Sequence, residues 1–498
     1  MTSVERVKYI NEYSDDKDSE FRLDFTRINL ASSIRKFVSN DPVSYSHDLE
    51  PLLKIPRKYQ YEILRGFEEA WKNNKEFKWD KILSFIEAIL GSADFWTSKS
   101  EGNEYNYNLW ITNTTADLIT EGVKNDRPAF TPELLPIVER ILLVFIDKVK
   151  SDIKTSDIKT VNYFVTKVIN SSMEKVFIAA INYSFHFTKL YSKSKINRWN
   201  ESMKKEFTDR LDGTKDRSIE FSFVAGWYIS YLYFIDKKWT TDYFNKIFDL
   251  NNDEQWESAF TGYIVMNSTI DDVFYKLHKE HGHYNKALNF EFADKFAADK
   301  VVQHIVLGYL ADWESTTDKN SLIKKMVIAG NTKQLSEMVS FVWQFRDKIN
   351  EKIRTKVKPL WKMIINIISP MLKVNDHLID REQYSIIASK LGNWLCLVDT
   401  IDDDIKNWLD DTISSIEENN DGLFVEYLLS HVENTPEKVG EIYIKMLNAG
   451  TFPTYPKEDI AAIVQALNKT SQKEMVDRIR NLYIGKGLLV EVFRALES

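Results

Sequence analysis

The chain is almost free of the residues that interrupt helices, with 16 glycines and 11 prolines in 498 residues, about half of ordinary usage. Between them, apolar side chains recur at three- and four-residue steps, the spacing that gathers them on one helical face. No stretch sustains the every-second-residue alternation of a half-buried strand. A chain punctuated so sparsely folds as a long series of helices of about 10 to 20 residues. A single core stops growing at about 250–300 residues, so a helical chain of 498 residues implies several domains or a stacked array. The helices pair into units of roughly 35–45 residues, the size of HEAT-like or TPR-like hairpins. The units share no consensus. The expected fold is all-α, an α-solenoid of degenerate HEAT/TPR-like helical hairpins.

Three regions are expected along the chain: an irregular N-terminal segment over 1–60, helical repeats over 61–212, and further repeats over 213–498. In the first, Asp15 to Asp18 reads as a solvated turn, and Pro42, Pro51 and Pro56 interrupt the remainder of the segment. The loop Leu211-Asp212-Gly213-Thr214-Lys215-Asp216 is the expected boundary between the two arrays. Individual helices are legible. Tyr61, Leu64, Phe67 and Trp71 form one face, and Ile82, Phe85, Ile86 and Ile89 another that ends at Gly91. Thr131-Pro132 predicts an N-cap followed by a first-turn proline. Phe223, Trp227, Tyr231 and Phe234 fall on a single aromatic face. Most aromatic side chains belong to such core faces. Those in turns are candidate partner anchors, because exposed aromatics are common hot spots: Trp239, Trp96, Phe130 and Tyr455, with Phe95 beside them.

The formal charge of −8, with Lys and Asp/Glu alternating throughout, argues against nucleic acid, whose binders concentrate positive charge on one face. A single cysteine, Cys396, excludes an intramolecular disulfide and fits a reducing compartment. It lies beside Trp394 and Leu397, where a thiol is normally inert. Met1 to Glu5 carry no apolar signal region, and no stretch approaches the ~20 apolar residues of a membrane span. A cytoplasmic chain with no membrane partner is expected.

Catalytic motifs do not emerge. A phosphate-binding Gly-x4-Gly-Lys-Ser/Thr loop is absent, and Gly485-Lys486-Gly487 follows a helix, not a strand. No Gly-x-Ser-x-Gly elbow occurs. Neither a cofactor nor an enzymatic activity is expected. His278, His281 and His283 are the metal-ligand candidates, with two imidazoles on one helical face and a third just past its end. The competing account makes Gly282 a helix-terminating glycine with the imidazoles at the favourable end of the dipole, and on balance no metal is expected. Asp399 to Asp404 resembles a hard-cation loop without its glycine and distal glutamate; an acidic N-cap before the Ile405 helix accounts for it better.

The order of several segments is familiar. Ser222-Phe223-Val224-Ala225-Gly226-Trp227, Lys238-Trp239-Thr240, Ile247-Phe248-Asp249 and Gln255-Trp256-Glu257-Ser258-Ala259-Phe260-Thr261-Gly262-Tyr263 form its centre, followed by Val273 to Leu277 and Tyr284 to Leu288. Trp79 to Leu90, Pro132 to Phe145, Leu307 to Leu322 and Val476 to Leu496 keep the same order. Over roughly residues 60–498 the chain resembles the C-terminal helical sensor region of large bacterial and archaeal STAND-type NTPases, the group that includes antiviral sensors. The resemblance implies recognition of a foreign protein, such as a phage structural or packaging protein, by shape complementarity. In that family an upstream P-loop module hydrolyses ATP and an N-terminal effector such as a nuclease acts. The first 60 residues have no room for either, so the resemblance implies the sensor part alone, a split partner acting with a P-loop NTPase or nuclease encoded nearby, or an excised piece of a longer protein. No family catalytic residue maps onto this chain.

Overall fold

The computed structural model describes residues 3–14, 20–97, 106–124, 127–151, 153, 164–191, 199–267, 271–374, 381–416, 421–470 and 472–495. Regular structure among them is entirely helical, with no strand. The chain divides into two compact units, one of Met1–Ser268 with Phe292–Asp294 and one of Thr269–Glu291 with Lys295–Ser498.

In the first unit, six helices pack in a row: Glu20–Asn40, Arg57–Lys72, Tyr107–Gly122, Ser172–Tyr191, Ile219–Trp227 and Asp253–Met266, each on the one before. Trp79–Leu90 packs on Leu135–Lys148, and Glu201–Leu211 on Lys237–Ile247. Phe67, Ile86, Leu142, Phe177 and Phe221 are among the buried side chains that hold these layers, each stabilising by about 1.5–3 kcal/mol relative to exposure. Helix starts are set by short polar side chains that satisfy first-turn amides. Asn106 accepts from Leu109 N (3.1 Å), Asn252 from Gln255 N (3.2 Å) and Asp236 from Trp239 N (3.0 Å).

Three expectations are corrected here. The described part of residues 1–60 is not irregular: it holds Ser3–Ser14, Glu20–Asn40, Pro42–Ser46 and a 3-10 turn at Glu50–Lys54. Pro42 and Pro51 sit in first turns, where a missing N–H costs nothing; Asp15 to Asp18 lies outside the described residues. The 211–216 loop is internal to the first unit, because contacts bridge it. Lys204 pairs with Asp236 (2.8 Å), Trp239 Nε1 donates to Thr208 Oγ1 (3.0 Å), and Asp212 accepts from Tyr243 OH (3.1 Å) and Lys246 Nζ (2.5 Å). Finally, Thr131-Pro132 does not open its helix. A turn from Leu134 N to Thr131 O (3.0 Å) comes first, and the helix runs Leu135–Lys148 with Pro136 in its first turn.

In the second unit, Lys295–Leu310, Thr332–Trp343 and Arg381–Gly392 pack in sequence, as do Leu322–Ala329, Glu351–Lys373, Asp403–Thr412, Pro436–Asn448 and Lys473–Gly485. Trp361, Trp394, Tyr443 and Tyr483 are fully buried. Ion pairs tie neighbouring helices of the second series: Lys373–Asp411 (2.8 Å), Lys406–Glu441 (2.9 Å) and Lys445–Asp410 (3.4 Å). Being partly solvated, each contributes about 0.2–1 kcal/mol at most. Among the described residues no helix is long and apolar enough to cross a membrane.

Candidate functional site

The histidine triplet is split by burial. The Asp272–Glu280 helix ends at His281, Gly282 adopts φ 81°, and His283–Ala287 begins at once. Only glycine takes that left-handed turn without strain. Reversal there turns His278 and His283 inward, both buried, with ring centroids 5.0 Å apart and near-perpendicular, and leaves His281 exposed with its ring 6.3 Å from His283. Burial, reinforced by the neighbouring imidazoles, holds His278 well below the usual histidine range and pushes His283 down to about 3. Among the described residues no three His, Cys, Asp or Glu side chains are placed to hold a metal ion.

The acidic run at 399–404 is occupied by cations of the chain itself. Asp399 pairs with Arg354, Asp402 and Asp404 with Lys358 (2.5 and 3.0 Å), and Asp403 with Lys438 (2.7 Å). Asp402 also accepts from Ile405 N (3.0 Å), the N-cap bond.

The four aromatic candidates separate in the same way. Trp239 is only 5% exposed. Its ring stacks on Tyr243 at 4.9 Å and meets Trp199 edge-on at 4.8 Å, while Nε1 donates to Thr208 Oγ1 (3.0 Å). Phe130 is buried against Trp79. Trp96 is half-buried, donating from Nε1 to Leu90 O (3.0 Å) beside buried Phe95. Tyr455 alone stands out, 73% exposed. Trp96, Phe130 and Trp239 belong to the first unit and Tyr455 to the second.

A different aromatic cluster is gathered. The expected continuous face from Phe223 to Phe234 breaks at Tyr228, where Ile219–Trp227 ends and Ile229–Ile235 starts. Phe223 stays in the core, whereas Tyr231 and Phe234 emerge at 37% and 49% exposure. Both rings lie against Phe185 of the Ser172–Tyr191 helix, at 4.6 and 4.9 Å, and Tyr228 adjoins Tyr231 at 5.1 Å. Lys189 stands over Phe185 (4.5 Å) and Lys237 over Tyr233 (5.2 Å). The surface is thus aromatic, with Lys189 at its edge. Sequence reasoning missed it because helical periodicity continued through the break would bury these rings; the signal available was Lys189 and Lys237-Lys238 flanking the aromatic runs.

On the same Ser172–Tyr191 helix, Glu174 is buried, and burial pushes its carboxyl up to about 8 despite adjacent Lys175. Arg217 is likewise pulled down, to about 10, by burial; it donates to the carbonyls of Lys246 (2.6 Å) and Ile247 (2.7 Å) at the end of the Lys237–Ile247 helix.

No protein-family model matches the chain, and no curated protein matches it. Among solved structures, one described as an engineered protein aligns over 90% of this chain and 99% of its own, at 12% identity and a TM-score of 0.28. That likeness is too low to carry an argument.

Proposed function

We propose that this chain is a non-catalytic protein-recognition module, an α-solenoid that serves as the sensor part of a prokaryotic, cytoplasmic STAND-like antiviral system. It binds a foreign protein, of phage structural or packaging type, and signals through a P-loop NTPase or nuclease encoded nearby. The carrying observation is the Phe185–Tyr231–Phe234 cluster: clustered, solvent-facing rings are what protein partners use as anchors. The row-by-row packing of helices within each unit supports the solenoid reading, and the segment order from Ser222 to Leu288 supports the family reading.

The test is capture from phage-infected cells with wild type and a Tyr231→Ser/Phe234→Ser variant. The expected result is a phage protein retained by wild type and lost by the variant at unchanged Tm. Retention of a host housekeeping complex, with no phage protein, would make the chain a general scaffold without an immune role.

A further inference from the structure

The second unit holds three buried imidazoles close together: His278 and His283, ring against ring at 5.0 Å, and His304 on the Lys295–Leu310 helix, reached through Tyr284. Tyr284 OH lies 3.2 Å from His304 Nδ1, and its ring is 6.1 Å from that of His278. His281 marks the solvent edge of the group. The cluster therefore joins three helices: Asp272–Glu280, His283–Ala287 and Lys295–Leu310.

The imidazoles and Lys286 that act on His278 and His283 each oppose a proton there. His278 feels His281, His283 and His304; His283 feels His281 and Lys286. The buried carboxylate of this region, Glu314, is taken up elsewhere: it accepts from Lys279 Nζ (2.7 Å), Tyr275 OH (3.1 Å) and Leu322 N (2.9 Å). Asp318 also lies toward Lys279 (3.8 Å), Asp272 holds Lys276 (3.0 Å), and Lys325 donates to Asn285 (3.1 Å). A first proton on the cluster would sit desolvated beside other imidazoles, and a second would be repelled by the first.

We propose that His278 and His283, packed ring against ring beside Tyr284, form a proton-operated latch, closed while the two rings are neutral, whose protonation frees the Asp272–Ala287 segment from the Lys295–Leu310 helix before the rest of the unit unfolds. The sign follows from linkage. A ring that titrates near 6.5 when open and stays neutral when closed binds protons only in the open form as pH falls below 6.5. At pH 5 each such ring favours opening by about thirtyfold, from 1.5 pH units at tenfold each.

The test is native-state hydrogen exchange of the whole chain at pH 8 and pH 5, expressed as protection relative to intrinsic rates. Amides of 272–288 should lose protection by about thirtyfold or more at pH 5, while those of Glu351–Lys373 in the same unit change far less. In a His278→Phe/His283→Phe variant the selective loss should shrink at least tenfold. If that pair does not fold, the single His283→Phe variant removes one titrating ring, with a smaller reduction expected. Equal protection at both pH values, a loss shared by Glu351–Lys373, or an undiminished loss in the folded variants each overturns the latch.

Discussion

Gly226 and Gly262 each lie against the backbone of the other's helix where Ile219–Trp227 crosses Asp253–Met266. A Cβ on Gly226 would stand 1.9 Å from Ala259 O, and one on Gly262 would stand 2.1 Å from Phe223 O. The contact is reciprocal and backbone to backbone, so no side-chain rotation can relieve it. Hydrogen bonds seal its flank: Ser258 Oγ donates to Ile219 O (2.7 Å), and Ser222 Oγ meets Gln255 Oε1.

Gly226→Ala and Gly262→Ala should therefore each force the helices apart and destabilise the protein by about 3 kcal/mol, the upper range for overpacking. Gly485→Ala is the control. Its Cβ would meet nothing within 4 Å, and alanine there should be neutral or stabilise by up to about 1 kcal/mol. Urea midpoints of the three variants decide the matter; a Gly226→Ala protein as stable as wild type would show that the two helices can separate at this crossing without cost.

The buried Glu174 carboxyl gives a pH dependence of opposite sense to the histidines. Its folded pKa, about 8, is raised above the usual 4.5. The folded state then holds a proton that the unfolded state releases, so the contribution is complete below pH 4.5 and is lost as pH rises through 8. Across pH 5.5–7.5 the loss is about 1 kcal/mol per pH unit. Glu174→Gln, which keeps the shape without the charge, should remove that slope. Urea unfolding of both proteins across this range checks it; parallel curves would mean that the carboxyl is ionised and stabilised in place.

Asp402 and Asp403 are neighbours with unequal roles. Asp402→Ala removes the bond to Ile405 N and should cost about 1 kcal/mol. Asp403, whose side chain is 90% exposed in its pair with Lys438, should cost no more than about 0.5 kcal/mol. Since Arg354, Lys358 and Lys438 already neutralise this run, millimolar calcium or EDTA should leave Tm unchanged. A calcium-dependent rise in Tm that Asp402→Ala abolishes would contradict this assignment.

Helices whose faces are read from three- and four-residue spacing were legible, as Trp79–Leu90 shows with Ile82, Phe85, Ile86 and Ile89 buried and Gly91 at its end. What periodicity could not reveal was the break at Tyr228, because the nearest glycine, Gly226, lies inside the first helix at its crossing with Asp253–Met266 and no proline follows: Tyr228 is at once the C-cap of one helix and the N-cap of the next. That single break carries Tyr231 and Phe234 from the core face to the surface. The histidines illustrate the other gap. Gly282 was readable as a helix end, but the burial of His278 and His283 depends on the fold around them, including Tyr284 and His304, twenty residues apart in sequence. Exposure of a turn residue was similarly readable for Tyr455 and misleading for Phe130.

Trp239 gives the sharpest separation between anchoring a partner and holding the fold. It follows Asp236 at a helix start, a place where a sequence suggests exposure. The Asp236 cap instead directs the indole inward, onto Trp199 and Tyr243, with Nε1 on Thr208. Trp239→Ala should then cost about 3–5 kcal/mol, as for other buried large-to-small aromatic changes. Trp239→Phe keeps a ring but loses the Nε1 bond, and should cost about 1 kcal/mol. Partner affinity of whatever fraction remains folded should be unchanged in both. A Trp239→Ala protein with wild-type Tm and weakened capture would place this ring at the interface instead, and Phe234→Ser, measured beside it, should show the converse of the core pattern: stability kept and binding lost.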